Sequence, residues 1–305
     1  EAKARMDAMV RNLRTAYAVG IDSLDWMSPA TKAQAKAKLA KFTVKIAYPD
    51  KWRDYSALRI VRGDLLGNVR RANEFRYDDM TSQLGKPVDR TRWGMTPQTV
   101  NAYYNPMGNE IVFPAAQLLP PYFEVTNDDA LNYGGIGSVI GHEMTHAFDD
   151  EGSQFDAQGN LADWWTADDR KQFEARAQKL VDQFNAYVPV DDLHINGKLT
   201  LGENIADLGG LLVAYDAFKL TAQGKGDAKI DGLTPDQRFF YAYAKTWRTA
   251  QRPAQLRLQV QSNEHAPAKF RTNGPLADVP AFASAFACKA GDAMVRPASS
   301  IVEIW

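Results

Sequence analysis

Five consecutive residues, His142-Glu143-Met144-Thr145-His146, constrain this chain more than any other feature of its sequence. On an α-helix, positions i and i+4 lie on one face, so both imidazoles can reach a single ion. Neutral imidazole nitrogens at about 2.0–2.1 Å are ligands that suit Zn²⁺. Glu143 lies beside such an ion, where its carboxylate can take a proton from a coordinated water. The spacing therefore predicts a metal-binding helix.

The residues around this motif indicate that the helix is buried. Segment 134–141 is rich in glycine, which allows another element to approach the backbone closely. Val139, Ile140, Met144 and Phe148 place apolar side chains around the two histidines. Polar groups that are buried without partners cost free energy, and a metal ion satisfies all of them at once.

A catalytic zinc site needs three protein ligands and one open position, so a third ligand has to be found. The third histidine of the metzincins is excluded, because Gly152 stands at that position. Glu203 and Asp207 open an apolar helical stretch and share one face at positions i and i+4. Glu203 is the stronger candidate for the third ligand, with Asp163 and His194 as alternatives. Asp207 can accept the second N–H of a ligating histidine and so fix its tautomer.

Several patches resemble one family, the neprilysin-like zinc endopeptidases of peptidase family M13. The matching patches run in order along the chain: Asn-Ala-Tyr-Tyr at 101–104, Ile-Val-Phe-Pro at 111–114, Gly-His-Glu-Met-Thr-His-Ala-Phe-Asp-Asp at 141–150, Asp-Trp-Trp at 163–165, Glu-Asn-Ile-Ala-Asp at 203–207 and His-Ala-Pro-Ala-Lys-Phe-Arg at 265–271. The terminal Ile304-Trp305 is similar to the family's Val-Trp. The resemblance implies a thermolysin-like (gluzincin) catalytic domain, mainly α with a small β-sheet, that holds one Zn²⁺.

The resemblance also implies roles for single residues. His142, His146 and Glu203 resemble the zinc ligands and Glu143 the general base, with Asp207 orienting a ligating histidine. His265 resembles the donor to the developing oxyanion, with Tyr104 as a helper. Asn101 and Ala102 resemble the edge-strand residues that hold the substrate backbone, an edge that 110–113 could form, and Arg271 resembles the residue that grips the carbonyl after the scissile bond. Without the resemblance, His265 reads as a turn residue before Pro267 and Arg271 as a surface ion pair.

The pocket for the side chain after the scissile bond departs from the family's apolar lining. The matching positions are Gln117, Tyr122, Ser138, Val139, Thr246 and Trp247. Three of these six are polar, so we expect a weaker preference for bulky apolar residues there.

The chain also departs from the family in cysteine content and length. Its single cysteine, Cys288, cannot form an internal disulfide, which favours a bacterial protein stable without such bridges. Family members are much longer and carry a second, mostly helical part that covers the cleft. We therefore expect residues 1–100 to be a helical connection from a missing N-terminal half, a possible partner, and residues 101–305 to be the catalytic domain. A truncated, weakly active or inactive zinc-binding fragment is the alternative to an active endopeptidase, and a zinc aminopeptidase is a weaker one.

Composition excludes other classes of protein. Hydrophobic residues make up 45% and charged residues 24% of the 305, as in globular domains. A net charge of −1 with dispersed Lys and Arg argues against nucleic acid as a partner, and no apolar run is long enough to span a bilayer. We expect peptide substrates and an extracytoplasmic location, periplasmic or secreted, with the cytoplasm as the alternative. Periodicity predicts helices near 2–18, 30–42, 56–83, 135–149, 166–187, 203–221, 235–250 and 279–289, and strands at 43–48 and 110–114.

Overall fold

The computed structural model describes residues 1–305, which form a mainly helical fold with one small sheet. The predicted secondary-structure class is confirmed. The strands are β1 (Thr43–Ala47), β2 (Tyr103–Asn105) and β3 (Glu110–Pro114). The helices are α1 (Ala2–Ser23), α2 (Pro29–Ala40), α3 (Leu65–Thr81), α4 (Asp129–Asn132), α5 (Ser138–Thr145), α6 (Ala167–Asn185), α7 (Leu201–Lys219), α8 (Ala222–Lys225), α9 (Pro235–Thr246), α10 (Pro253–Ser262), α11 (Ala268–Ala277) and α12 (Pro280–Ala285).

The sheet has the strand order β1-β3-β2, with β1 parallel and β2 antiparallel to β3. The expectation that 110–113 forms a substrate-binding edge is wrong, because β3 is the central strand and all five of its residues are buried. Its run Ile111-Val112-Phe113 is continuously apolar, which is typical of a strand covered on both faces. The edge nearest the cleft is β2, which follows Asn101 and Ala102 directly.

Helix α7 lies at the centre of the molecule, and α5 packs against it more closely than side chains would allow. A Cβ added at Gly141 would lie 2.5 Å from the Gly210 carbonyl oxygen, and one added at Gly210 would lie 2.4 Å from the His142 nitrogen. The prediction that glycines before the motif permit a close approach is confirmed. Because the two backbones touch there, residues on α5 and α7 face each other at a fixed distance.

The helix that carries the His pair is not regular. Helices α4 and α5 are joined through one π-helical turn at Tyr133–Gly137, so a helix runs without a break from Asp129 to Thr145. Compared with the predicted helix 135–149, the observed helix begins earlier, at Asp129, and ends earlier, at Thr145. Such π turns are frequent at functional sites.

Other predicted boundaries also differ from the structure. The helix predicted at 56–83 begins only at Leu65, where Asp64 caps it by accepting from the Gly67 N–H. The helix predicted at 279–289 ends at Ala285. Helices α10 and α11 were not predicted, since Val260 is the only buried residue of α10 and Pro275 lies inside α11.

Helices α2 and α6 begin side by side at one buried carboxylate. Ser28 caps α2 and Pro29 is its first residue. Thr166 caps α6. Asp169, which is 2% exposed, accepts hydrogen bonds from the Ser28, Thr31 and Thr166 hydroxyls at 2.6–2.7 Å. Asp169 thereby joins α2, which belongs to the N-terminal connection (residues 1–100), to α6.

The segment between β1 and β2 covers little of the core. Helix α3 has no buried residue, and Leu65 and Leu66 are each 75% exposed. Trp52, Tyr77 and Leu84 also expose large apolar surfaces. None of the helices combines the length and apolar character that a bilayer crossing requires.

Candidate metal centre

Three side chains from α5 and α7 converge on one point. His142 and His146 are separated by one helical turn, and their Nε2 atoms lie 3.0 Å apart. Glu203, in the first turn of α7, places Oε2 3.4 Å from His142 Nε2 and Oε1 3.5 Å from His146 Nε2. The Gly141–Gly210 contact between the helices brings the three together.

The hydrogen bonds behind the two imidazoles fix their tautomers. His142 Nδ1 donates to Asp207 Oδ1 at 2.9 Å, and His146 Nδ1 donates to Asp149 Oδ2 at 2.6 Å. Both Nε2 atoms are then left with lone pairs that face each other and the Glu203 carboxylate. Three lone-pair donors at this spacing repel one another unless a cation lies between them. The donor set, two imidazoles and one carboxylate, fits zinc.

The same contacts set the charge on these groups. Burial lowers the pKa of His142, but hydrogen bonds with Asp207 and Glu203 outweigh that effect and raise it to about 10. For Glu203, burial raises the pKa, but His142 and Arg271 hold it well below its usual range. A metal therefore competes with a proton for His142, and Glu203 is ionised and ready to bind a cation.

Glu143 lies beside this cluster in a cleft of about 550 Å³. It is 6% exposed, and burial raises the pKa of its carboxyl. A carboxylate whose pKa is raised holds a proton more tightly and is therefore a stronger base. The geometry thus places Glu143 next to the ligands without making it one of them.

Arg271 is buried in an ion pair with the two acids of α7. Its guanidinium donates to both oxygens of Asp207 at 2.6 and 2.7 Å and to Glu203 Oε2 at 3.0 Å. It also lies over the Trp247 ring, 4.4 Å from the centroid. The alternative of a surface ion pair is wrong, because Arg271 is 8% exposed. The Arg271 guanidinium therefore links the Glu203 and Asp207 carboxylates, and Arg271 also lines the cleft.

His265 lines the same cleft and contacts the cluster. Its Nε2 lies 3.2 Å from Glu203 Oε1, and its Nδ1 lies 3.0 Å from Asn263 Oδ1. Tyr104 also lines the cleft, but its hydroxyl donates to Asn109 Oδ1 at 3.1 Å. Of the two proposed oxyanion donors, His265 is the one whose ring nitrogen Nε2 lies against the cluster.

The other predicted site residues also lie in this cleft. Asn101, Ala102, Val139 and Trp247 line it, as do the remaining pocket positions Gln117, Tyr122, Ser138 and Thr246. The alternative ligands are elsewhere: neither Asp163 nor His194 lines the cleft. His194 Nδ1 donates to the Asn185 carbonyl at 2.7 Å, and the Asn185 side chain accepts from the Gly197 N–H, so His194 contributes to the order of this loop.

Two contributors were missed by the sequence reasoning. Asp149 orients His146, and its position three residues after His146 was a signal that could have identified it. Lys38 is 1% exposed and donates to the carbonyls of Ala147, Gly152 and Phe155, each at 2.7 Å. It thereby holds the segment that carries Asp149. No local pattern around Lys38 indicates this, because its three acceptors are more than 100 residues away.

Comparison with known proteins identifies the family. Family models described as "Peptidase family M13" match residues 101–301 and 1–49. The chain belongs to peptidase family M13. Membership implies zinc as the metal. Endothelin-converting enzyme homolog of Locusta migratoria is 39% identical over 96% of this chain and 42% of its own length. Human endothelin-converting enzyme 1 is 35% identical over 100% of this chain and 40% of its own length.

Solved structures of this family superpose closely on the chain. Zinc metalloprotease Zmp1 of Mycobacterium tuberculosis, in complex with an inhibitor, matches all of the chain with a TM-score of 0.96 and 50% identity. PepO of Lactobacillus rhamnosis HN001 matches all of it with a TM-score of 0.91 and 37% identity. The predicted zinc-metallopeptidase fold is therefore confirmed. The chain spans 47% of each of these two structures, and about two fifths of the curated relatives.

Proposed function

We propose that this chain is the catalytic part of a zinc-dependent endopeptidase that hydrolyses internal bonds of peptides. The observation that carries the proposal is the convergence of three lone-pair donors beside a buried, unliganded Glu143 in an open cleft. His142, His146 and Glu203 would hold one ion. Asp207 and Asp149 would keep both imidazoles in the ligating tautomer.

The chemistry divides between the metal and the residues around it. When bound, zinc lowers the pKa of a water and polarises the peptide carbonyl. Glu143 takes the proton from the attacking water and later passes it to the leaving amine. His265 donates from Nε2 to the carbonyl oxygen as negative charge develops there, a contribution of about 2.7–4 kcal/mol per preorganised donor. Arg271, held by Asp207, donates to the carbonyl after the scissile bond.

The substrate backbone binds along the β2 side of the cleft. Asn101 is exposed and Ala102 follows it into β2, the edge strand. An edge strand offers unpaired N–H and C=O groups to an extended peptide, which adds to the sheet as a further strand. The bound peptide would then cross the face of α5, past Val139 and Trp247, with its scissile carbonyl at the metal.

The test is cleavage of a peptide blocked at both ends by the zinc-loaded chain. An endopeptidase cleaves it internally, whereas an aminopeptidase leaves it intact because it needs a free N-terminus. Peptide fragments are identified by mass spectrometry, and Glu143→Gln protein prepared in parallel controls for contaminating proteases. Intact blocked peptide after loading with stoichiometric zinc would favour the inactive-fragment alternative.

The remaining proposals concern the longer protein. We propose that residues 1–100 connect the catalytic unit, residues 101–305, to a covering half of a parent protein. The exposed apolar side chains of α3 and its flanks support this, as does the chain's coverage of about two fifths of its curated relatives. We also propose peptides as the substrates and an extracytoplasmic location, periplasmic or secreted in a bacterium.

A further inference from the structure

The two histidines of the cluster differ in where they lie on their helix. Helix α5 ends at Thr145, so His142 lies inside the helix, whereas His146 is the residue just beyond its end. The backbone around His142 is held on both sides by regular helical hydrogen bonds. The position of His146 depends in addition on the turn that follows it, residues 147–152.

This turn is packed tightly against His146. It carries Asp149, whose Oδ2 accepts from His146 Nδ1 and whose Oδ1 accepts from the Gly152 N–H at 2.6 Å. A Cβ added at Gly152 would lie 1.7 Å from the His146 carbonyl oxygen, so only glycine fits there. A displacement of the turn 147–152 would therefore move both the backbone of His146 and the acid that orients its ring.

One buried ammonium group holds both ends of the turn. Lys38, on α2, donates from Nζ to the carbonyls of Ala147 and Gly152, and also to the carbonyl of Phe155, each at 2.7 Å. Three aromatic rings surround the same atom, with centroids 5.7–5.9 Å away: Tyr104, Phe148 and Trp164. Only a protonated amine has three N–H donors, so the three hydrogen bonds together require the charge of Lys38.

Stability alone does not explain a charge at this position. Lys38 is 1% exposed, and its three hydrogen-bond acceptors are neutral. Burial lowers the pKa of Lys38 to about 7, and the nearby carboxylates of Asp149 and Asp156 oppose that effect only in part. A buried charge without an ion-pair partner costs free energy, and a lysine perturbed in this way is typical of functional sites.

Lys38 lies outside the part of the chain that carries the cluster. It belongs to segment 1–49, which a separate family model matches. The backbone of Lys38 also reaches the sheet, because its carbonyl accepts from Asn109 Nδ2 at 3.0 Å and Asn109 Oδ1 accepts from the Tyr104 hydroxyl at 3.1 Å. Helix α2 therefore contacts both the turn beside His146 and, through Asn109, strand β2.

We propose that Lys38 is a positioning residue of the metal site, whose ammonium group holds the turn that carries Asp149 and thereby fixes His146. The proposal rests on the zinc site proposed above and extends that site into segment 1–49. Lys38 acts on one of the two histidines only, since His142 is oriented from α7 by Asp207. Residues 101–305 alone would lack this support.

The test is a double-mutant cycle on zinc affinity, measured by competition with a chromophoric chelator at one fixed pH. We expect Lys38→Met to weaken zinc binding about tenfold, the lower end of the range for groups that orient a ligand. In Asp149→Ala protein the same change should have little further effect, because the turn no longer orients His146. In Asp207→Ala protein the tenfold loss should persist, since Asp207 acts on His142 from another helix. General destabilisation would instead give the same loss in both backgrounds.

Lys45→Met is the matched control, because Lys45 is the other buried lysine of the chain and its ion pair with Glu110 lies in the sheet. This change should lower the melting temperature and leave zinc affinity unchanged. If Lys38→Met does not fold, Lys38→Gln, which keeps two N–H donors, decides by the same cycle.

The outcomes separate the role of Lys38 from the proposed function. Equal losses in the Asp149→Ala and Asp207→Ala backgrounds, or a loss no larger than that of Lys45→Met, would overturn the role of Lys38. Zinc binding by the wild-type chain would in that case leave the proposed function standing. A wild-type chain that binds no zinc would contradict the proposed function, and the role of Lys38 with it.

Discussion

At the scale of single residues, the two histidines that we propose as metal ligands are held by two different acids. His142 is held from α7 by Asp207, which Arg271 also contacts. His146 is held by Asp149, whose second oxygen accepts from the N–H groups of Glu151 and Gly152 at 2.9 and 2.6 Å. Each histidine is thus oriented by a carboxylate that is itself fixed. We therefore expect the metal affinity of the site to depend on both acids.

Substitution of single acids distinguishes the acid that binds the metal from the acids that only orient a histidine. We expect Asp149→Ala and Asp207→Ala each to weaken zinc binding about 10–100-fold, because the imidazoles lose their fixed tautomer. Glu203→Ala should lose stoichiometric zinc altogether. Zinc content is measured after dialysis against graded chelator. Asp150→Ala is the matched control, since Asp150 holds neither histidine, and zinc loss there equal to that of Asp149→Ala would show that general destabilisation is being measured.

At the scale of elements, the junction of α2 and α6 depends on the charge of Asp169. Burial raises its pKa, but hydrogen bonds from Ser28, Thr31 and Thr166 outweigh that effect and lower it below the usual value. A lowered folded-state pKa contributes stability above the unfolded value, about 3.9, and that contribution is lost as pH falls through the folded pKa. We expect Asp169→Asn to cost about 2 kcal/mol near neutral pH. Urea denaturation of both proteins at several pH values measures this difference in the free energy of unfolding. A difference that does not become smaller below pH 4 would contradict the role given to the Asp169 charge.

The elements that the sequence predicts are those with a local signal. The Ser28-Pro29 cap, the apolar strand β3 and the helix that carries the His pair all have one. No local signal shows that β3 is the central strand. Its place in the sheet depends on pairing with β1 and β2, whose residues lie up to 67 positions away in the sequence. Because α10 buries one residue only, its sequence has no apolar stripe from which a helix could be predicted. Likewise the ligand set follows from spacing and resemblance, whereas Lys38 acts through contacts that only the tertiary fold creates.

At the scale of the whole molecule, the cleft of this chain is open and α3 exposes apolar surface. A covering half would exclude water and strengthen the electrostatic interactions at the metal. We therefore expect this chain alone to turn over weakly, to accept long polypeptides as readily as short peptides, and to self-associate. Addition of the preceding half of the parent protein should raise kcat/KM and restore a preference for short peptides. A monomeric, fully active chain that is selective for short peptides would contradict the proposed connection to a covering half.

The central claim is that Glu143 is the base of a metal site and not one of its ligands. Glu143→Gln keeps the size of the side chain and removes only its capacity to take a proton. The most direct measurement is therefore zinc content and blocked-peptide turnover on the same preparation of wild-type and Glu143→Gln protein. We predict one zinc per chain in both, with cleavage abolished in the variant. Loss of zinc from the variant, or cleavage at the wild-type rate, would contradict the assignment of Glu143.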